Sequence, residues 1–365
     1  MTITASAPGK LVLLGEYAVL EGAPAISMAV DRRAVARLSA QPGPCCEVFA
    51  PDVLNRPVPF VIGADGLPDW SAAGGDAATL SLVDEVLRGL ADEALAPAAG
   101  SGFRLALDTS AFFDTSKAER PKLGLGSSAA LTVALAMAFI ARAGQTTGHA
   151  GDAADHAHWL PRLLALHRKF QGGQGSGVDV ATSLVGGLIA YQLHDGGARP
   201  TARPLTWPAG LHQRFIWSGR SASTPKFLST LRRWRADHEG EYRTRMDALS
   251  AIAAAAVGDL ARGDAAGFLA CAASYANDLR ALGLASGVEI YSDEHIAIAA
   301  IAARHQGVVY KPCGAGGGDV GVLFAMDPDS LAAATAALAA SGFASVPLAV
   351  DTAGLRIAIT ESVEA

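Results

Sequence analysis

The sequence predicts an α+β protein of two domains, with a two-layer architecture in both halves. Three observations lead there. At 365 residues the chain exceeds the roughly 100–200 residues that one hydrophobic core usually serves. Half of its residues are hydrophobic and the mean hydropathy is +0.27, which supplies large cores and excludes a disordered chain. Strand-like and helix-like runs are mixed along the chain, without the regular alternation of a parallel α/β sheet.

The opening third reads as strands in "TITASA", "AISMAV", "AVARLSA", "CCEVFA" and "FRLALD", each bounded by Gly, Pro or Asp. One helix, "TLSLVDEVLRGLADEAL", lies between them. From "GLGSSAALTVALAMAFIARAG" the pattern turns helical, continues through "LPRLLALHRKF" and "VDVATSLVGG", and returns to a strand in "GLIAYQL". The first domain is therefore expected to span 1–195. The Pro- and Gly-rich "HDGGARPTARP" is the expected crossing into a second domain, 196–365. That half holds a strand "RFIWSG", a helical stretch over about 225–284, and a helix "SDEHIAIAAIAARHQG". A strand-loop-strand "GVVYKPCGAGGGDVGVLFAM", an Ala-rich helix and a closing strand "GLRIAI" complete it. No internal repeat is present.

The formal net charge of −6 and pI near 5.8 argue against nucleic acid or an anionic membrane as partner, since both reward surplus Lys and Arg. An anionic small-molecule ligand must then be held by local charge. Cys45, Cys46, Cys271 and Cys313 show no CxxC spacing and read as reduced thiols of a cytoplasmic protein. The start "MTITASAPGK" has neither the basic leader nor the apolar stretch of a signal peptide. Two uncharged runs, 123–141 and 330–350, are interrupted by a glycine-serine loop and by Ser341-Gly342 and Pro347. They leave apolar helices of about 10–14 residues, which suit a core rather than a bilayer. The oligomeric state is expected to be monomer or homodimer.

Three stretches combine glycine with a polar or charged residue: "APGKLVLLGEYAV", "KLGLGSSAA" and "KPCGAGGGDVG". In the second, Gly124 and Gly126 let the backbone turn, and the next residues open a helix whose first N–H groups have no internal partner, an anion site ready for phosphate. Ser127 and Ser128 add hydroxyls for phosphate or for a Mg²⁺ ion already on phosphate oxygens. The structural alternative is a tight turn with Ser127 as N-cap. No GxxxxGK[ST] occurs, so the P-loop pattern is absent. Gly124 to Ala129 satisfies GxGxxA, the dinucleotide fingerprint, but its helix is followed by another helix, which makes an NAD(P) oxidoreductase the remote alternative.

"APGKLVLLGEYAVLEG", "KLGLGSSAA" and "KPCGAGGGDVG" resemble the three signature motifs of the GHMP small-molecule kinases, the family of galactokinase, homoserine kinase, mevalonate kinase and phosphomevalonate kinase. They occur in order near the start, middle and end of the chain, so the resemblance covers essentially its whole length. It implies a two-domain GHMP kinase-like fold, each domain a mixed or antiparallel sheet packed with helices, with the active site in the cleft between them. Lys122 before the Leu-Gly-Leu-Gly-Ser-Ser run, "GSGVDVA" at 175–181, "SGRSASTPKFL" at 218–228 and "GAGGGDVG" look most like the phosphomevalonate kinase members. Mevalonate kinases are expected to carry Asn where this chain has Val180. The resemblance implies an ATP- and Mg²⁺-dependent phosphotransferase acting on a small acidic metabolite, mevalonate 5-phosphate, in isoprenoid precursor synthesis. The alternatives are mevalonate kinase or another member acting on an alcohol, and a non-catalytic nucleotide- or metabolite-binding protein that keeps the fold.

Phosphoryl transfer needs alignment, and positive charge where the γ-phosphoryl oxygens gather negative charge. Lys10, expected on a strand-to-loop corner fixed by Pro8 and Gly9, is similar to the family's motif-one lysine and is the candidate for that charge, also touching the acceptor. Asp179 matches the aspartate that faces the acceptor; with a phosphomonoester, already mostly dianionic with a second pKa of about 6, it is expected to orient Lys10 rather than act as base. Lys122, Gly124, Leu125, Gly126, Ser127, Ser128, Ala129, Gly316 and Gly317 are the nucleotide-binding candidates, and Ser128 is the metal candidate. Ser176, Gly177, Arg220, Ser223 and Gly316 join Lys10 as acceptor candidates, with Ser221, Thr224, His167 and Lys169 less directly implied. The glutamate that family members place before the aspartate as a second metal ligand is missing: no acid lies between Asp155 and Asp179. Asp319 is expected to brace the third loop.

Overall fold

The computed structural model describes residues 1–114, 121–145, 153–173, 175–194, 199–222 and 224–361. The first sheet is organised by two long strands, β1 (Thr2–Leu14) and β2 (Ala25–Ala40), paired antiparallel from Thr2↔Ser39 to Leu14↔Ile26. There follow β3 (Cys45–Phe49), β4 (Val58–Ile62), β5 (Pro68–Asp69), α1 (Ser81–Asp92) and β6 (Phe103–Asp108). Next come α2 (Ser127–Arg142), α3 (Ala153–Phe170), α4 (Val178–Val185), β7 (Leu188–His194) and β8 (Arg199–Leu205). The rest comprises β9 (His212–Trp217), α5 (Thr224–Asp237), α6 (Glu239–Arg262), α7 (Ala265–Ser286), α8 (Asp293–Ala302), β10 (Val309–Pro312), β11 (Val320–Ala325), α9 (Pro328–Ala340), β12 (Ser345–Val346) and β13 (Arg356–Thr360).

The first sheet runs β13-β1-β2-β6-β3-β4-β5, and the early part of β2 also pairs with β7, which carries β8. Only the β3–β6 pairing is parallel among these ladders. The second sheet is antiparallel, in the order β10-β11-β9-β12. Helix α2 is buried almost all round, from Ala129 to Ala141 apart from Leu131, as a helix apolar on every face must be. It packs on β1 and β2 with α1, α3 and α4 around it. One mixed and one antiparallel sheet, each packed with helices, are the expected α+β architecture. Among the described residues no helix is long and apolar enough to cross a membrane.

Several elements differ from the sequence reading. The stretch over 225–284 is three helices, broken by His238 and by Gly263-Asp264, whose Asp264 carboxylate accepts from Gly267 N–H as an N-cap. Part of the Pro-rich crossing segment is β8, an outer strand in which Pro200 and Pro204 are tolerated. The closing strand, β13, pairs with β1. Lys10 does not sit at a corner: β1 runs straight through Pro8 and Gly9, with a register shift between them. That bulge re-aims the residues after it.

Candidate active site

Helix α2 starts at Ser127 with Gly126 at the N-cap position, φ +76°, and no side chain caps it. The alternative with Ser127 as N-cap does not hold: Ser127 is the first helical residue, and the first intrahelical bond is Ala130 N–H to Gly126 O at 3.1 Å. The amides of Ser127, Ser128 and Ala129 therefore have no helical acceptor. A cavity of about 210 Å³ opens on this helix mouth, lined by Lys10, Lys122, Gly124, Leu125, Gly126, Ser127, Ser128 and Asp319. A second cavity, of about 180 Å³, lies beside it and is lined by Glu16, Tyr17, Ser176, Val178, Gly314 and Ala315. Lys10, Gln171, Asp179 and Thr224 line both.

Lys10 is locked to the second glycine loop. Its N–H donates to Leu125 O at 2.8 Å, and its Nζ leans toward Gly124 O at 3.5 Å. The lysine stem crosses Gly126 so closely that a Cβ there would lie 3.1 Å from Cε. Asp179 occupies the first turn of α4, whose N-cap is Gly177 at φ +80°, and its Oδ1 accepts from Val180 N–H at 2.9 Å. No Lys10–Asp179 ion pair within 4.0 Å is found among the described residues. Ser176 is pinned by Tyr191, whose hydroxyl donates to its carbonyl at 2.7 Å. Ser128 Oγ lies 3.3 Å from Nε2 of His167, which is buried.

The other candidates fall differently. Gly316 and Gly317 line neither cavity: a Cβ would strike Ile290 O at 2.3 Å and the Phe227 ring at 2.1 Å. The third loop meets the second cavity through Gly314 and Ala315 instead. Ala129 is wholly buried and presents only its backbone. Arg220 turns away to Glu289 and Glu294, at 3.2 and 3.6 Å, and lies outside both cavities. Lys169 pairs with Asp92 at 2.8 Å. Ser221 Oγ donates to Lys122 O at 3.1 Å. Ser223 lies outside the described residues.

Asp319 ties the third loop to the second. It adopts φ +57°, its carboxylate lies against Gly124, and Ala222 N–H donates to its Oδ1 at 3.3 Å. Burial pushes its carboxyl up to about 6, against the Ala222 hydrogen bond and the Lys10 ammonium. Sequence reasoning missed a second tie: the buried Lys311 ammonium donates to Glu16 Oε1 and to Pro312 O at 2.6 Å. Burial raises the Glu16 carboxyl and Lys311 opposes it. Tyr17 adds a hydroxyl bond to Ala315 O at 2.6 Å. It also missed Gln171, because nothing in "KFQGGQGSG" separates it from a turn residue.

The GHMP kinases N terminal domain matches residues 81–187. The phosphomevalonate kinase of Streptomyces sp. (strain CL190) is 31% identical over 354 residues, covering 88% of this chain and 89% of that protein. The chain belongs to the GHMP kinases. The mevalonate kinase of Aeropyrum pernix is also 31% identical to this GHMP kinase, but over 188 residues and half of its own length. Among solved structures, the Lin0012 protein of Listeria innocua shares the fold with a TM-score of 0.81 at 23% identity, over 99% of this kinase and 100% of that chain. The phosphomevalonate kinase of Streptococcus pneumoniae, in complex with phosphomevalonate and AMPPNP, shares it at 0.76 and 18%, over 95% and 99%. The sheets of this kinase are overwhelmingly antiparallel, so the parallel dinucleotide-binding alternative is overturned.

The cavity at the helix mouth has the chemistry to take Mg²⁺ carried on phosphates. Among the described residues no group of three His, Cys, Asp or Glu could hold a metal alone, yet Ser128 and Asp179 face the same space with hard oxygens. If His167 Nε2 accepts the Ser128 proton, the hydroxyl oxygen stays free to face a cation.

Proposed function

We propose that this kinase transfers the terminal phosphoryl group of ATP to the phosphate of mevalonate 5-phosphate, giving mevalonate 5-diphosphate and ADP. The observation that carries the reading is the meeting of two cavities at Lys10 and Asp179, one of them on an uncapped helix mouth. The polyphosphate lies on the free amides of Ser127, Ser128 and Ala129 with Lys122 beside it. The acceptor phosphate, mostly dianionic above pH 6, attacks the γ-phosphorus as the bond to the β–γ bridging oxygen breaks, and ADP leaves with that electron pair. Lys10 is the charge on the transferred group, and Asp179, lining both cavities with it, sets the local field there. Ser128 and Asp179 would hold Mg²⁺ together with the phosphates, and the ion would supply neutralisation of their charge. Support for the acceptor comes from the Streptomyces relative, similar over 88% of the chain.

One observation favours a second reading. Lys10 is the one cation among the described residues lining the acceptor-side cavity, beside the acids Glu16 and Asp179. That balance suits an alcohol such as mevalonate, for which Asp179 would be a general base. A coupled ADP-release assay across mevalonate, its 5-phosphate, its 5-diphosphate, homoserine and galactose separates the two. The expected result is a kcat/KM for the 5-phosphate at least about 100-fold above the others. A higher value with mevalonate overturns the acceptor assignment and leaves the kinase standing.

A further inference from the structure

A phosphoryl group passing between the two cavities meets the groups that line both: Lys10, Gln171, Asp179 and Thr224. Of these, Lys10 brings one positive charge and Asp179 a negative one that cannot donate. The transferred group carries its charge on three equatorial oxygens, so the junction must supply neutral donors as well. Thr224 offers one hydroxyl proton. Gln171 offers two N–H groups on a planar amide.

The chain is shaped to place that amide. Gln171 closes the turn after α3, where its N–H donates to His167 O at 3.0 Å. Its side chain is exposed and has no hydrogen-bond partner among the described residues. The carboxamide lies over Gly175, at φ +102°, where a Cβ would come within 2.5 Å of Gln171 Oε1. A side chain at 175 would push the amide away from the junction. A carboxylate at 171 would add a negative charge beside Asp179 and repel the phosphoryl oxygens.

We propose that Gln171 is a catalytic residue, its Nε2 donating a hydrogen bond to a non-bridging oxygen of the phosphoryl group in flight. The inference rests on the kinase reading above. The acceptor-oxygen-to-phosphorus bond forms, the phosphorus-to-ADP bond breaks with its electron pair leaving on ADP, and the amide keeps its protons.

The test compares Gln171→Ala and Gln171→Glu with wild type for kcat, both KM values, and binding of AMPPNP and of ADP with aluminium fluoride, a mimic of the group in flight. The expected result is a fall in kcat of about 100-fold in Gln171→Ala, the cost of one lost donor, and more in Gln171→Glu. KM values and AMPPNP affinity stay within about threefold, and ADP–aluminium fluoride affinity falls in step with kcat. Gly175→Ala, which displaces the amide without removing it, is expected to lose kcat in the same direction. A kcat within twofold of wild type in Gln171→Ala, or a loss confined to KM, overturns the proposal. A wild type inactive toward every acceptor sinks the acceptor assignment instead, and the same comparison is then read with water as acceptor through ATP hydrolysis.

Discussion

Asp179 faces both cavities yet makes its own short bond to Val180 N–H and no ion pair with Lys10. An acid so placed can abstract a proton or merely fix the local field, and the acceptor decides which. A phosphomonoester has already lost its second proton above about pH 6, so removing the carboxylate charge should cost modestly. Asp179→Asn is expected to lower kcat by about tenfold with mevalonate 5-phosphate, against the 10²- to 10⁴-fold typical of a lost general base. The pH profile gives the sharper check. Its acidic limb should sit near pH 6 in both proteins, because it belongs to the substrate. A limb that disappears in Asp179→Asn would make the carboxylate a base and point to an alcohol acceptor.

The glycine loops show how elements hold the site. Gly124 has φ +72°, and a Cβ there would lie 2.2 Å from Asp319 Cγ, whereas Gly144, at φ +71°, has nothing within 4 Å. Gly144→Ala therefore measures backbone strain alone, of order 1 kcal/mol. Gly124→Ala adds displacement of Asp319, and with it the contact between the third loop and the helix mouth. It is expected to destabilise by about 2–3 kcal/mol more than its control and to raise the ATP KM about tenfold, read by urea unfolding and steady-state kinetics. Equal effects on KM would detach Asp319 from nucleotide binding. These loops were legible because a positive φ writes itself into sequence as glycine. The path of β1 was not: Pro8-Gly9 reads locally as a corner, and only pairing to β2 turns it into a bulge. β8 was hidden by its two prolines, which an outer strand can carry. Gln171 and the Glu16–Lys311 pair become special only when residues distant in sequence meet.

At the scale of the whole molecule, the third glycine loop is held from behind and in front by two groups whose titrations oppose each other. Behind it, the buried His295 stands between Tyr310 Oη at 2.7 Å and Gly318 O at 2.9 Å. The carbonyl can only accept, so Nε2 carries the proton and Nδ1 accepts from Tyr310. Burial lowers its pKa to about 4, with Arg220 and Lys311 adding to the fall and Gly318 O and Glu294 opposing it. In front, Asp319 is raised to about 6. Between pH 6.5 and 4 the unfolded chain protonates His295 while the folded one does not, so stability falls as pH falls, by about 1.4 kcal/mol per unit. Between pH 6 and 4 the folded chain holds the Asp319 proton and the unfolded one does not, so stability rises as pH falls. The two slopes nearly cancel between pH 4 and 6. Removing one should expose the other: His295→Gln should gain stability relative to wild type on acidification from pH 6 to 4, and Asp319→Asn should lose it. Urea unfolding at pH 4, 5 and 6 reads the difference, and parallel curves for the two variants would show that neither group keeps its shifted titration in the folded molecule.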